Sequence, residues 1–193
     1  SPRGKIRSVP LNNPNNAASR IPVATYRLQL HADFNFDAAA AISDYLRELG
    51  ISHVYSSPYL QAAPGSLHGY DVVDHHSVNR ELGGAEAHAR FCRRLGEAGL
   101  GQVLDVVPNH MAIAGRHNKY WWDVLENGPS SPYASYFDID WQPLEEKLWN
   151  KLLVPILGDH YGRVLSRREI TVSRNGGEFL INYFDHFLPV APK

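Results

Sequence analysis

Residues 101–111 read GQVLDVVPNHM. Four apolar residues, Val103, Leu104, Val106 and Val107, enclose one carboxylate, Asp105, and Pro108, Asn109 and His110 close the run. A run that is apolar on both faces predicts a strand buried in a parallel sheet. Alternation along a strand puts Val103, Asp105 and Val107 on one face. A carboxylate withdrawn from water without a partner costs several kcal/mol, so something must hold Asp105. Pro108 has no N–H for a ladder, so regular pairing is expected to fail there. Asn109 and His110 then stand at the C-terminal end of the strand, where barrel enzymes gather their active residues. The plainer alternative gives Asp105 a structural cation and makes His110 an ordinary loop residue.

The flanking segments give the strand its context. VATYRLQL (23–30) predicts a first strand, and DAAAAISDYLREL (37–49) a helix with Ala38, Ala41, Ile42, Tyr45, Leu46 and Leu49 on one face. Asp37 can cap its start and Gly50 suits its exit. ISHVYSSPYL (51–60) predicts a second strand, 63–76 a glycine-punctuated loop, 85–98 a second helix and 102–107 the third strand. Strands alternating with helices through short connections predict an α/β architecture with parallel pairing. Right-handed crossovers put the helices on one side of the sheet. A closed barrel and a doubly wound sheet both satisfy this pattern.

Beyond residue 111 the rhythm changes. NKYWWDVLENG (118–128) predicts a short helix capped by Asn118 and stopped by Gly128, and YFDIDW (136–141) a half-buried strand. Residues 169–184 predict a hairpin around Asn175, Gly176 and Gly177. The segment from 111 to 193 therefore looks like a small mixed insert. Residues 1–20, rich in Pro, Asn and Ser, read as a flexible arm.

Composition narrows the function classes. The 193 residues suit one domain, or a domain with an insertion. A net charge of −1 gives no basic footprint for nucleic acid. No stretch has membrane-spanning length, and no signal-peptide core precedes the first strand. Cys92 is the single cysteine, so an internal disulfide is impossible, and the expectation is a soluble, cytoplasmic protein. There is no G-x-S-x-G, no phosphate-binding glycine loop and no cysteine cluster, so no cofactor or metal is expected.

A second polar cluster is GSLHGYDVVD (65–74). Gly65 and Gly69 allow tight turns around His68, Tyr70 and Asp71. A tyrosine between polar groups can stack on a sugar ring while its neighbours bond hydroxyls; an ordinary surface loop is the plainer alternative. His75 and His76 are adjacent and read as structural. Asp138 and Asp140 read as an exposed acidic edge, Trp121 and Trp122 as candidates for sugar stacking of which at least one packs in the core, and Cys92 as buried and inert on the helix stripe.

Together these motifs resemble a known pattern. DVVPNH (105–110) resembles the first conserved region of the α-amylase superfamily, glycoside hydrolase family 13. TYRLQL, LGISHVYSSPYLQAAPGSLHGYDVVD, NRELGG, GLGQVLDVVPNHM, NKYWWDVLENG and YFDIDW resemble the maltooligosyltrehalose synthase family within it, across residues 21 to about 190. That resemblance implies a (β/α)8 barrel with residues 21–110 as its first part and 111–193 as domain B, an insertion after the third strand. It implies intramolecular transglycosylation, formally an isomerisation serving trehalose biosynthesis. The α-1,4 bond at the reducing end of a maltooligosaccharide becomes α,α-1,1, by the logic of a retaining glycosidase.

Carried over to this chain, the resemblance implies that His110 bonds the sugar before the cleaved bond. Asn109 orients its neighbours, Tyr70 stacks under the same sugar, and His68 and Asp71 shape the rim. Asp105 supports the site by pairing with an Arg from the next conserved region. Some superfamily members bind calcium in domain B, but no ligand set stands out here.

The chain also departs from the family. The nucleophilic Asp and the acid Glu belong to the fourth and fifth strands, and neither motif occurs. The expectation is an N-terminal fragment, inactive alone, in which Asp105 lacks its Arg unless another chain supplies the rest of the barrel. A noncatalytic glucan-binding fragment and another amylase-superfamily hydrolase are the competing readings.

Overall fold

The computed structural model describes residues 21–113 and 115–191, so the arm expected over 1–20 lies outside the described residues. The chain separates into two compact units. The first runs through Gln61 and takes in 65–70 and 76–108; the second holds 62–64, 71–75 and the chain from Asn109 onward.

In chain order the first half gives β1 (Thr25–Leu28), α1 (Phe36–Ala41), α2 (Ser43–Glu48), β2 (His53–Ser56), β3 (Leu60–Ala62), β4 (Val72–Val78), α3 (Gly84–Glu97) and β5 (Gly101–Leu104). Strands β1, β2 and β5 form a parallel sheet in that order. Leu28 and Val54 turn into a core shared with Phe36, Leu46, Phe91 and Leu95 of the helices. The opposite parity, Arg27 beside Tyr55 beside Val103, lies on the other face. Gly101 closes that face at its start: a Cβ there would meet the His53 ring at 2.2 Å.

The helix expected over 37–49 is two helices, interrupted at Ile42. Asn35, not Asp37, caps the first, its side-chain oxygen accepting the Asp37 and Ala38 N–H groups. Ala39 and Leu46, seven residues apart, are both fully buried, so the apolar stripe keeps its phase across the interruption. The second helix spans Gly84–Glu97, close to the expected 85–98, but its buried face is Ala87, Phe91 and Leu95 at i, i+4 and i+8. Of the expected stripe of His88, Phe91, Cys92 and Leu95, only Phe91 and Leu95 are buried. The loop expected over 63–76 is partly wrong. Val72–Val78 forms a strand that pairs with Leu60–Ala62.

The second half adds α4 (Lys119–Asn127), α5 (Tyr161–Ser166) and the antiparallel strands β6 (Ile170–Asn175), β7 (Glu178–Tyr183) and β8 (His186–Pro189). Asn118 caps α4 as expected. Its Oδ1 accepts from the Tyr120 and Trp121 N–H groups, and its Nδ2 donates to the Ala112 carbonyl at 2.8 Å. The hairpin turns at Gly176 and Gly177, both at positive φ. YFDIDW is not a strand. A 3-10 turn covers Ala134–Tyr136, and Asp140 accepts the Gln142 N–H, the side-chain-to-backbone bonding that competes with a ladder.

Candidate functional site

Regular pairing stops earlier than Pro108, since β5 ends at Leu104. The Asp105 N–H still donates to the Ser56 carbonyl at 3.2 Å, which keeps the residue aligned with the sheet. Its side chain is not orphaned. Arg27 of β1 donates Nη1–H to Asp105 Oδ2 at 3.0 Å, and the hydroxyls of Tyr70 and Tyr55 donate to the same oxygen at 2.5 and 3.3 Å. The second Arg27 nitrogen donates to the Tyr70 hydroxyl at 2.9 Å, and the guanidinium lies 4.7 Å over the Tyr55 ring. The expectation that Asp105 would lack an Arg within this chain is therefore corrected. Parallel register sets Arg27 beside Tyr55 and Tyr55 beside Val103, and Asp105 follows two residues later on the same face.

Each group shifts accordingly. The Tyr70 hydroxyl, followed by Arg27 and Tyr55, holds the Asp105 carboxyl below its ordinary value against a desolvation that raises it. Arg27 is raised, chiefly by Asp105. Tyr70 is raised as well, chiefly because its proton is engaged by the Asp105 carboxylate. Arg27 and Tyr55 are the residues that sequence reading missed.

The loop carrying Tyr70 is built tightly. Gln29, just past the end of β1, donates to the Leu67 carbonyl at 3.0 Å, and Ser66 Oγ accepts the Gly69 N–H at 3.0 Å. His68 Nδ1 accepts the Tyr70 N–H at 3.0 Å, and the two rings sit 5.9 Å apart. Gly69 has φ +78°, and a Cβ there would lie 2.1 Å from the Pro58 carbonyl oxygen. Gly65 has a similar φ, +75°, but open space around it. Alanine at position 65 is expected to cost only the left-handed strain, ~1–2 kcal/mol. Gly69→Ala adds a backbone collision and is expected to exceed it clearly. Denaturant midpoints of the two variants check this, and equal shifts would dismiss the Pro58 contact.

The second unit holds the remaining candidates. Asn109 and His110 are exposed neighbours whose Oδ1 and Nδ1 lie 3.1 Å apart. Asp71 is half-buried, and its carbonyl accepts the Ala63 N–H at 2.9 Å. The structure thus brings His68, Tyr70 and Asp105 together in one unit, and Asn109 and His110 in the other. His75 and His76 lie on β4. Trp121 packs edge-on against Phe137, and Trp122 carries the Arg116 guanidinium at 4.4 Å.

Cys92, expected to be buried, is exposed: one position past Phe91 is about 100° around the helix, off the packed stripe. Its Sγ lies 3.4 Å from His88 Nε2, and partial desolvation raises its thiol. Among the described residues no group of three or more His, Cys, Asp or Glu is arranged to hold a metal ion, and no helix is long and apolar enough to cross a membrane.

Residues 41–161 match the family model described as "Alpha amylase, catalytic domain". The chain belongs to that family, and its fold is the TIM-barrel type of α-amylase catalytic domains. A "Putative maltooligosyl trehalose synthase" of Mycobacterium tuberculosis is 39% identical over 176 residues, which cover 88% of this chain and 21% of that protein. The solved maltooligosyltrehalose synthase from Arthrobacter ramosus is 43% identical, with a TM-score of 0.76 over 88% of this chain and 21% of that one. A further maltooligosyl trehalose synthase crystal structure is 40% identical, with a TM-score of 0.81 over 90% of this chain and 23% of that chain. The chain thus spans about a fifth of the length of these relatives.

Proposed function

We propose that this chain supplies the first three βα units, residues 21–110, and the domain B-like insertion, 111–193, of a (β/α)8 enzyme. That enzyme converts maltooligosaccharides into maltooligosyl trehalose by intramolecular transglycosylation. The observation that carries the reading is the 39–43% identity to maltooligosyltrehalose synthases across nine-tenths of the chain. The polar cluster of Tyr70, Asp105 and Arg27 supports it, because it lies where barrel enzymes bind substrate, at the C-terminal ends of parallel strands.

In this reading Tyr70 stacks under the sugar preceding the cleaved bond. His110 bonds that sugar's hydroxyls, Asn109 orients His110, His68 and Asp71 form the rim, and Asp105 holds the arrangement. The nucleophile and the acid come from strands beyond those described. A carboxylate attacks the anomeric carbon of the penultimate glucose unit while an acid protonates the leaving oxygen. The released glucose then attacks the glycosyl-enzyme through its own anomeric hydroxyl, whose proton returns to the same acid–base group, and the carboxylate is regenerated.

Maltopentaose tests both parts. The complete enzyme is expected to give a non-reducing pentasaccharide, and the 193-residue chain alone no turnover, since it lacks a nucleophile. Smaller reducing sugars from the complete enzyme would make it a hydrolase. Turnover by the short chain would mean that the catalytic carboxylates lie within it.

A further inference from the structure

We infer that Arg27 is a positioning residue that acts through Tyr70, locking the phenol ring in the orientation needed to receive a glucosyl unit. This deepens the glucan-site reading above and rests on it.

A tyrosine used as a stacking platform can swing about two side-chain torsions. One hydrogen bond at its hydroxyl leaves a pivot; two partners on different elements remove it. Tyr70 has two. It donates to Asp105 Oδ2 at 2.5 Å and accepts from Arg27 Nη2 at 2.9 Å. Arg27 itself cannot drift, because Nη1 is committed to Asp105 at 3.0 Å and its plane rests 4.7 Å over the Tyr55 ring. The planar fork is what permits this. One guanidinium reaches a carboxylate and a phenol at once, which a lysine ammonium on its flexible stem does poorly.

The residue that follows this strand ties the other end of the loop, through the Gln29 bond to the Leu67 carbonyl. So Tyr70 is held from both sides by the segment Arg27 to Gln29: Gln29, just past β1, holds the backbone approach and Arg27, within it, holds the ring tip. The hydroxyl is wholly engaged by protein, which leaves the ring face as the surface Tyr70 offers to a ligand. The residue stays 36% exposed, enough for one sugar to lie on it. Fixing the platform before substrate arrives removes ordering from the binding step.

A double-mutant cycle on the complete enzyme with maltopentaose tests this. Arg27→Gln and Tyr70→Phe are each expected to lower kcat/KM about tenfold, and the double variant by about the same tenfold, because both remove one shared tether. Arg27→Lys is expected to recover thermal stability while leaving most of the loss in kcat/KM. Losses that multiply to roughly a hundredfold would show that Arg27 acts independently of Tyr70 and overturn the inference. Full recovery of kcat/KM by Arg27→Lys would do the same, since charge alone would then suffice. Should Arg27→Gln fail to fold, Arg27→Lys and Tyr70→Phe carry the cycle. A hydrolytic product from the wild type would refute the transglycosylation reading alone, because the cycle can be read equally on bond cleavage.

Discussion

His110→Ala in the complete enzyme is expected to lower turnover by roughly 10²–10³-fold, the scale of one lost donor that acts mainly in the transition state. The side chain is exposed, and its described partner is the neighbouring Asn109. Its removal opens no cavity, and stability is expected to move by only about 0.5 kcal/mol. The discriminating measurement is turnover per folded molecule alongside the denaturant midpoint. A variant that unfolds readily but turns over normally would make His110 a structural residue, and the site reading of DVVPNH would fall with it.

Asp105→Ala is expected to reverse that pattern and lose stability first. It removes the acceptor of three hydrogen bonds, one of them from a cation. A fully buried unpaired arginine would cost about 3–5 kcal/mol. The Arg27 side chain is 36% exposed, however, so water reaches the abandoned guanidinium and the expected loss is nearer ~1.5–3 kcal/mol. The pH dependence has a definite sign. The folded-state carboxyl is held below its ordinary value of 3.8, so its contribution is present above pH 3.8 and lost as pH falls towards the folded value. The stability gap between wild type and Asp105→Asn should therefore be constant at neutral pH and close on the acid side. A gap that instead widened below pH 3.8 would contradict the Tyr70 and Arg27 bonds as drawn.

The parts of the fold written in local chemistry were legible from sequence. Asn118 and Gly128 bracket their helix because caps act within four residues, and Phe91 and Leu95 mark the buried side of theirs by spacing, although the same spacing chose His88 and Cys92 where Ala87 is the buried neighbour. YFDIDW misled because alternation describes a strand only when a partner strand exists. The strand Val72–Val78 was hidden by the Gly-, His- and Asp-rich residues around it, and the short HFLP strand by its proline.

The site was half legible. A lone carboxylate in an apolar run announced Asp105 and the need for a partner. The partner lies 78 residues away, a separation no local pattern records. A signal was nonetheless present. Leu28, at the end of the first strand, and Leu30, just past it, are buried, which consigns Arg27 to the opposite face, the one Asp105 continues just past the third parallel strand. Two charges of opposite sign on the same face of neighbouring parallel strands are each other's most economical solution.

The three-stranded meander and the parallel sheet differ in how far along the chain their partners lie, and this has a consequence for synthesis. The meander closes between Ile170 and Pro189, within one short stretch of ribosomal output. The parallel sheet cannot form until Gly101 has emerged to join strands that begin at Thr25. Loop closure over such a span is slow compared with a hairpin. For that interval Arg27 remains solvated without its carboxylate, and Asp105, arriving last, is the residue whose appearance completes the cluster. The nascent chain thus acquires its polar site at the moment its third parallel strand docks, so sheet assembly and site assembly are one kinetic event.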